Sequence, residues 1–311
     1  MPEMREIAPN IYQLKVPLKL SEPFINVYIF RGETPTLMDT GTNTPGVFEM
    51  IQTALQRLGI KRLEQVIATH WHVDHAGAAH QFAKKGARIL IGAKDYGEWK
   101  TFATGESFGI FREWARDEWE IPDGLVIEGM VKTYEKLRHM TSWPDQVEQI
   151  APFQTLHAGN YALKAIPTPG HTMGHLAFFE EQQKMLFSGD ILLPDQVAYP
   201  GIWLEEGKVT SGLPSQLKSL DTLEKLNALQ YFPAHGEPQV NTNERCQESR
   251  AQILHQVQKY DPHISVYEGA LRLRQGKANP VALFTQLHQV YGWKQVNEQL
   301  SKSVNILEEN G

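Results

Sequence analysis

Cysteine is almost absent from this chain of 311 residues, which contains only Cys246. A single cysteine excludes an intramolecular disulfide framework and is compatible with a reducing compartment. The chain also lacks a run of about 20 apolar residues, which a membrane-spanning helix needs, and its first residues lack the apolar core of a signal peptide. We therefore expect a cytoplasmic protein that has no membrane partner.

Positive charge is also scarce, because 30 Lys and Arg residues face 36 Asp and Glu residues and leave a net charge of −6. This balance provides no general attraction for nucleic acid, so a nucleic-acid partner is not expected. Cys246 has no motif that supports a role as a catalytic nucleophile.

The chain does contain a dense cluster of histidines and an aspartate directly after the apolar run 65–68. The cluster consists of His70, His72, Asp74 and His75. Imidazole nitrogens and carboxylate oxygens are ligands for zinc, iron and manganese. An alternating pair followed by an adjacent pair cannot converge on one ion from a tight turn, so the spacing predicts two metals. The alternative is a histidine-rich surface loop.

Three further segments have the same form, an apolar run that ends in a potential metal ligand. These ligands are His171 in Pro-Gly-His, Asp190 in Ser-Gly-Asp and His235 in Pro-Ala-His-Gly. Strands that each end in such a loop can bring distant residues to one edge of a sheet. This repetition favours a metal site over a surface loop.

The order of these motifs resembles the metallo-β-lactamase superfamily over about residues 7–240. The resemblance implies an α+β fold, a four-layer αββα sandwich that binds two divalent metal ions. It implies that the first ion is held by His70, His72 and His171, that the second is held by Asp74, His75 and His235, and that Asp190 bridges them. Zinc is the expected metal, and iron and manganese are the alternatives.

Two other polar residues are expected close to these ligands. The segment Leu37-Met38-Asp39-Thr40-Gly41 resembles a family element in which the aspartate orients a metal ligand. The alternative for Asp39 is a simple turn carboxylate. His175 lies four residues after His171, and we expect it to orient the loop without binding a metal.

Helix signals flank the histidine cluster. Thr44 as N-cap and Pro45 at the first helical position predict a helix that ends at Gly59. After the cluster, residues 76–85 are expected to form a second helix, and residues 87–91 a strand.

We expect a catalytic domain over residues 1–245, with a helical insertion at about residues 95–150. The insertion is rich in aromatic residues, including Trp114. Some of them are expected to form an apolar wall for the substrate. The alternative is that these rings only hold the insertion on the core.

Residues 246–311 are expected to form a C-terminal helical domain, in which one helix begins at Asn279-Pro280 and ends at Gly292. The domain resembles those of some endoribonucleases and thioesterase-like members of the superfamily. We interpret it as a lid or as the contact of a homodimer.

Two divalent ions about 3.5–4 Å apart can hold a bridging hydroxide and present it to a substrate. Asp190 as the bridging ligand and Asp74 as a proton acceptor are the expected catalytic residues. Tyr199 is a candidate hydrogen-bond donor to the substrate carbonyl, although acyl-homoserine lactonases place their tyrosine closer to the bridging aspartate.

The resemblance also limits the substrate. An aspartate at position 190 is unlike true β-lactamases and is similar to glyoxalase II, lactonases and thioesterases, although no basic glutathione-binding pattern follows in the tail. We expect hydrolysis of a small carboxylic ester, thioester or lactone that has an apolar portion. The alternatives are a single-strand endoribonuclease or phosphodiesterase of the same superfamily, and a metal-dependent sensor or binding protein without turnover.

Overall fold

The computed structural model describes residues 3–18, 20, 22–105, 108–122, 124–205, 208–273 and 280–309. The first sheet has seven strands in chain order. They are β1 (Met4–Ala8), β2 (Ile11–Pro17), β3 (Phe24–Phe30), β4 (Thr36–Met38), β5 (Gln65–Ile67), β6 (Arg88–Gly92) and β7 (Glu148–Ile150). Strands β1 to β4 pair antiparallel, and β4 to β7 pair parallel.

The second sheet has six strands in the order β15-β14-β11-β10-β9-β8. They are β8 (Thr155–Ala158), β9 (Tyr161–Pro167), β10 (Leu176–Glu180), β11 (Met185–Gly189), β14 (Gln230–Pro233) and β15 (Gln239–Val240). Strand β14 pairs parallel with β11, and the other neighbours pair antiparallel. A separate hairpin is formed by β12 (Ile202–Glu205) and β13 (Lys208–Ser211).

The two sheets face each other across a core to which Phe30 and Met38 contribute from one side and Phe178 and Phe187 from the other. Helices cover the outer faces of both sheets. On the first sheet they are α1 (Val47–Arg57), α2 (Val73–Ala76) and α3 (Ala79–Ala83); on the second they are α7 (Leu213–Lys225) and α8 (Thr242–Gln258). The expected α+β sandwich is thus confirmed.

The predicted start of α1 was wrong by two residues. Gly46, in a left-handed conformation with φ of 91°, is the N-cap, and the helix begins at Val47. The hydroxyl of Thr44 does not cap it, because it hydrogen-bonds to the hydroxyl of Thr42 at 2.9 Å.

The single helix expected over residues 76–85 is divided into α2 and α3, and α2 begins at Val73. The backbone N–H of Ala78 donates outside the helix, to Gly41 O and Thr40 Oγ1, each at 3.1 Å. Asp74 and His75 therefore lie on the short helix α2 instead of in a loop before it.

A third group of helices lies outside the sandwich. The insertion contributes α4 (Ala93–Thr104), α5 (Phe108–Asp117) and α6 (Gly124–Arg138), and the C-terminal part contributes α9 (Val266–Leu273) and α10 (Pro280–Glu309). Buried residues from α5, α6, α9, α10 and the adjoining segment 119–121 form one apolar cluster. We call these elements the helical cap. Two parts of the chain that lie far apart in sequence thus form one unit.

The C-terminal helices differ from expectation at two places. Helix α10 continues through Gly292, where a Cβ would lie 3.0 Å from Leu213 Cβ and Ser211 Oγ. Gly292 therefore permits close packing instead of ending a helix. The expected boundary at residue 246 falls inside α8, and Asn279 lies outside the described residues. In the described part of the chain, every helix is too short or too polar to cross a membrane.

Candidate metal centre

The predicted ligands lie together at one edge of the sandwich. Each follows the carboxyl end of a strand: His70 follows β5, His171 follows β9, Asp190 follows β11, and His235 follows β14. Helix α2 begins shortly after His70 and brings the remaining ligands of the first motif to the same edge. The arrangement follows from parallel pairing of β4, β5 and β6 in one sheet and of β11 and β14 in the other.

The first group of potential ligands is His70, His72 and His171, whose ligand atoms all lie within 4.8 Å of one another. His70 Nε2 and His72 Nδ1 are 3.0 Å apart. His171 Nδ1 lies 2.9 Å from the Tyr199 carbonyl oxygen, which can only accept a hydrogen bond. The ring proton is therefore on Nδ1, and Nε2 of His171 presents its lone pair to the group.

The second group is Asp74, His75 and His235, with ligand atoms again within 4.8 Å of one another. His235 Nδ1 donates to the Phe24 carbonyl oxygen at 3.0 Å, which leaves its Nε2 facing Asp74 Oδ2 at 3.3 Å. His75 Nδ1 lies 2.9 Å from Asp39 Oδ2. Each Nδ1 thus has a fixed acceptor, and each Nε2 faces the space between the groups.

Asp190 lies between the two groups and forms a third set with His70 and His75. Its Oδ2 is 3.3 Å from His171 Nε2, and its Oδ1 is 3.5 Å from His75 Nε2 and 3.6 Å from His235 Nε2. One carboxylate oxygen therefore faces each group.

Three of these buried atoms have no hydrogen-bond partner in the described part of the chain: His75 Nε2, His171 Nε2 and Asp190 Oδ1. A buried polar atom without a partner costs about 1–3 kcal/mol. Nitrogen and oxygen atoms that point lone pairs at one another cannot form hydrogen bonds among themselves unless they share a proton, and they can also share a bound cation. The residues present therefore fit bound metal ions.

The electrostatics of the cluster agree with this fit. Burial lowers the pKa of His70 and His72, and neighbouring histidines lower it further. Burial would raise the pKa of Asp190, but the charges of His235 and His75 outweigh it and hold this pKa well below the ordinary value. Neutral imidazoles and ionised carboxylates are the forms that bind metal.

His75 and His235 behave differently from His70 and His72. Burial would lower the pKa of His235, but the charge of Asp190 and the hydrogen bond to Asp74 raise it to about 9. Burial would also lower the pKa of His75, but the charges of Asp190, Asp39 and Asp74 outweigh it and raise this pKa well above its ordinary value. Metal binding at this group must therefore release protons.

Asp39 orients His75 from the side away from the cluster. Besides its contact with His75, its Oδ1 accepts the Thr69 backbone N–H at 2.8 Å, and its Oδ2 accepts the Thr69 hydroxyl at 3.0 Å. Asp39 is almost completely buried. Asp39 directly follows β4, and these contacts hold it beside Thr69 and His75.

His175 is not in any of the three ligand sets. Its Nε2 accepts the backbone N–H of Asp190 at 3.1 Å, and its Nδ1 lies 2.8 Å from the Thr168 hydroxyl. Burial lowers its pKa to about 3. The neutral ring therefore positions the backbone that carries Asp190.

Asp95 was missed by the sequence reasoning. It is completely buried, and its Oδ2 accepts the Trp71 backbone N–H at 3.1 Å and the Thr172 hydroxyl at 2.7 Å, while its Oδ1 accepts the Gly174 N–H at 2.6 Å. It thereby connects the loop of His70 to the loop of His171. The available signal was its position in the first turn of α4, directly after β6 and at the same sheet edge.

A cavity of about 350 Å³ opens above the cluster. Its floor is formed by His72, Asp74, His171, Asp190 and His235. The walls come from the insertion, the helical cap, the loop of His70 and strand β12, and they are mainly apolar. They include Trp71, Phe102, Met130, Tyr134, Leu137, Trp203 and Phe284.

The sequence model of the metallo-β-lactamase superfamily matches residues 21–235. The chain belongs to this superfamily. It is 25% identical over 241 residues to a probable metallo-hydrolase of Bacillus subtilis, covering 74% of this chain and 72% of the relative. It is 23% identical over 245 residues to a lactamase-like protein of Pestalotiopsis fici, covering 78% of this chain and 60% of that protein.

Solved structures show the same fold. A metallo-β-lactamase family protein of Thermus thermophilus superimposes with a TM-score of 0.81 at 24% identity, over 93% of this chain and 95% of that one. The similarity therefore extends beyond the sandwich, because 93% of this chain includes cap residues. The family membership and the converging His and Asp donors make this chain a metallo-hydrolase.

The two residues that the sequence analysis selected as substrate contacts lie in different places. Tyr199 lines the cavity, with its ring centroid 4.7 Å from that of His171. Trp114 packs against Trp119 and Phe111, with centroids 4.7 and 5.1 Å apart, and is not among the residues that line the cavity. Trp114 therefore supports the cap.

His288 lines the cavity and was not selected in the sequence analysis. Its Nδ1 donates to the Pro200 carbonyl oxygen at 2.9 Å, and burial lowers its pKa to about 3. It brings helix α10 to within reach of the Tyr199 ring, at a centroid distance of 5.7 Å. Nothing in its sequence neighbourhood distinguishes it from a structural histidine.

Proposed function

We propose that this metallo-hydrolase cleaves a carboxylic ester, thioester or lactone with an apolar acyl portion. The observation that carries the proposal is the convergence of metal-type donors on the floor of an apolar cavity. The donors supply a site for the reacting carbonyl group, and the walls supply a surface for the apolar portion.

In this proposal His70, His72 and His171 hold one divalent ion, and Asp74, His75 and His235 hold another. Asp190, which lies between the two groups, would add its carboxylate to the ligands. We propose zinc, because imidazole and carboxylate donors suit it, and iron and manganese use the same donors. When bound, two such ions supply an activated water and polarise the substrate oxygen.

The chain's own residues would handle protons and orientation. Burial would raise the pKa of Asp74, but the charge of His75 and the hydrogen bond to His235 lower it to about 2. Asp74 is thus an ionised group on the cavity floor and is the proposed proton acceptor. Burial, and then the proximity of Tyr134, raises the pKa of Tyr199. Its hydroxyl therefore keeps its proton and is the proposed donor to the substrate carbonyl.

The charge of the cavity supports a carbonyl substrate over a phosphodiester. Among the lining residues that the structure describes, none is a lysine or an arginine. Proteins that bind nucleic acid normally direct such side chains at phosphates. The endoribonuclease alternative has no comparable support from the cavity.

The test combines metal analysis with turnover on one sample of purified protein. We expect about two metal ions per chain, and hydrolysis of aryl esters, acyl thioesters or lactones. The variant Asp190→Ala should lower the turnover number at least about 100-fold. Asp145→Ala is the matched control, because Asp145 is exposed, and it should retain wild-type turnover.

Other outcomes would replace the proposal. Cleavage of bis(p-nitrophenyl) phosphate without any ester, thioester or lactone turnover would favour the phosphodiesterase alternative. Two bound metals with no hydrolysis of any substrate in the panel would favour a sensor or binding protein.

A further inference from the structure

Glu98 contributes to the cavity a carboxyl group that has no role in the metal centre. Glu98 lies one helical turn after Asp95 on α4 and lines the cavity wall. Asp95 is occupied by three hydrogen bonds to the ligand loops, whereas Glu98 takes no part in that network. In the part of the chain that the structure describes, neither a lysine nor an arginine pairs with Glu98.

Three aromatic rings line the same part of the cavity as Glu98: Trp71, Phe102 and Tyr134. The ring centroids of Trp71 and Phe102 are 5.0 Å apart, and those of Phe102 and Tyr134 are 5.6 Å apart, so the rings form a continuous wall. Trp71 lies beside the Glu98 carboxyl. Burial, and then the charge of Glu98, raises the pKa of Tyr134, so its phenol also lies near this carboxyl.

The carboxyl of Glu98 is in an unfavourable environment by itself. Burial raises its pKa to about 8, and the neighbouring Asp95 carboxyl adds to the increase. Glu98 therefore holds its proton at neutral pH, because a desolvated carboxylate without a counter-charge is costly. A cation at this position would remove that cost, and aromatic rings next to a carboxylate are the surroundings in which proteins bind ammonium groups.

We propose that Glu98, together with the rings of Trp71, Phe102 and Tyr134, binds an organic ammonium group of the substrate. Trp71 lies between His70 and His72 in the sequence, so the ammonium group would lie in the same cavity as the reacting carbonyl. Insofar as it concerns the substrate, this inference rests on the proposed hydrolase function. It restricts the proposed substrates to acyl compounds that carry a cationic amine.

The proposal is tested by binding of two small probes of equal shape, choline and its uncharged analogue 3,3-dimethylbutan-1-ol. Calorimetric titration into the purified full-length protein at about pH 9, above the raised pKa of Glu98, gives both affinities without any need for turnover. We expect choline to bind about tenfold more tightly, a difference within the range of a partly desolvated cation–π contact joined to an ion pair. Equal affinities for the two probes would overturn the proposal.

Variants of the carboxyl groups that line the cavity show which one causes the preference for choline. Glu98→Gln should reduce the affinity ratio from about ten to about two or three, because only the cation–π contacts with the rings remain, and should leave binding of the uncharged probe unchanged. Glu98→Asp, which keeps the charge on a shorter side chain, should retain a smaller preference. Glu22→Gln is the control, because Glu22 also lines the cavity but accepts a hydrogen bond from Gln196 at 2.9 Å. An undiminished tenfold preference in Glu98→Gln, or a preference that is lost in Glu22→Gln, contradicts the assignment.

The two proposals fail separately. A choline preference in a protein that hydrolyses nothing would support the cation site and contradict the hydrolase. Hydrolysis of esters with no choline preference would support the hydrolase and contradict the cation site.

Discussion

The metal-ligand edge and the helical cap enclose the same cavity but are built by different interactions. At the edge, three ring nitrogens that face away from the cluster have an acceptor: His75 has Asp39, His171 has the Tyr199 carbonyl, and His235 has the Phe24 carbonyl. In the cap, Trp119 is completely buried among rings such as Phe111 and Phe284. Hydrogen-bond direction organises one region, and packing organises the other.

This difference predicts that substitutions in the two regions will have different consequences. A change at the edge should affect metal affinity more than stability, because the ligands are held through a few directional contacts. A change in the cap should affect stability more than metal affinity, because packed rings lose burial and contacts together.

The largest effect should come from Trp119→Ala. Removing a completely buried ring from the cap should lower the free energy of unfolding by about 3–5 kcal/mol. Chemical denaturation measures this loss, and metal content at low temperature should equal that of the wild type.

The control is Phe153→Ala, because this ring is 58% exposed and its loss should change stability by less than about 0.5 kcal/mol. If Trp119→Ala released metal from protein that is still folded, the two regions would not be independent.

A smaller effect is expected for Asp95→Asn at the edge. An amide nitrogen in place of one carboxylate oxygen would face the Trp71 N–H or the Gly174 N–H instead of accepting from it. The ligand loops would then be held less well, and metal affinity should fall about 10–100-fold. Competition with a chromophoric chelator measures this affinity.

Asp145→Asn introduces the same chemical change at an exposed site and should leave metal affinity unchanged. Unaltered affinity in Asp95→Asn would show that the two ligand loops are positioned without this carboxylate.

The smallest effect is the contribution of His288, a residue of the cap, to the pH dependence of stability. The pKa of His288 is lowered to about 3 by burial, below the value of about 6.5 in the unfolded chain. The unfolded state therefore binds more protons below pH 6.5, and stability is lost as the pH falls towards 3. Between pH 6 and pH 5 this residue should cost about 1 kcal/mol.

The variant His288→Gln removes that titration. Its free energy of unfolding should fall less steeply with acidity than that of the wild type, and the difference between the two slopes is the measured quantity. Parallel curves for the two proteins would mean that His288 binds protons as readily in the folded state as in the unfolded state.

Much of the metal-ligand edge could be predicted from the sequence. The ligand candidates in the motifs at residues 70–75, 171, 190 and 235 follow apolar runs, and a strand that ends at a sheet edge carries its next residues to that edge. The prediction was weaker at helix ends, because the caps depend on contacts such as that between Thr42 and Thr44.

The cap and the cavity could not be predicted in the same way. Helices α5 and α10 are separated by more than half of the chain, and helical spacing indicates an apolar face without indicating which other face covers it. For the same reason the sequence did not distinguish Trp114, which supports the cap, from Phe102 or Tyr134, which line the cavity.

The sequence by itself determined the family, the sandwich and the set of potential metal ligands, because these depend on local motifs and on the order of strands. The tertiary structure alone decided that Asp95 joins two ligand loops, that α10 supplies a wall of the cavity, and that Glu98 faces three rings without a counter-charge. These features depend on contacts between segments distant in the chain. Such contacts are selected by packing and desolvation, which act only once the chain is folded.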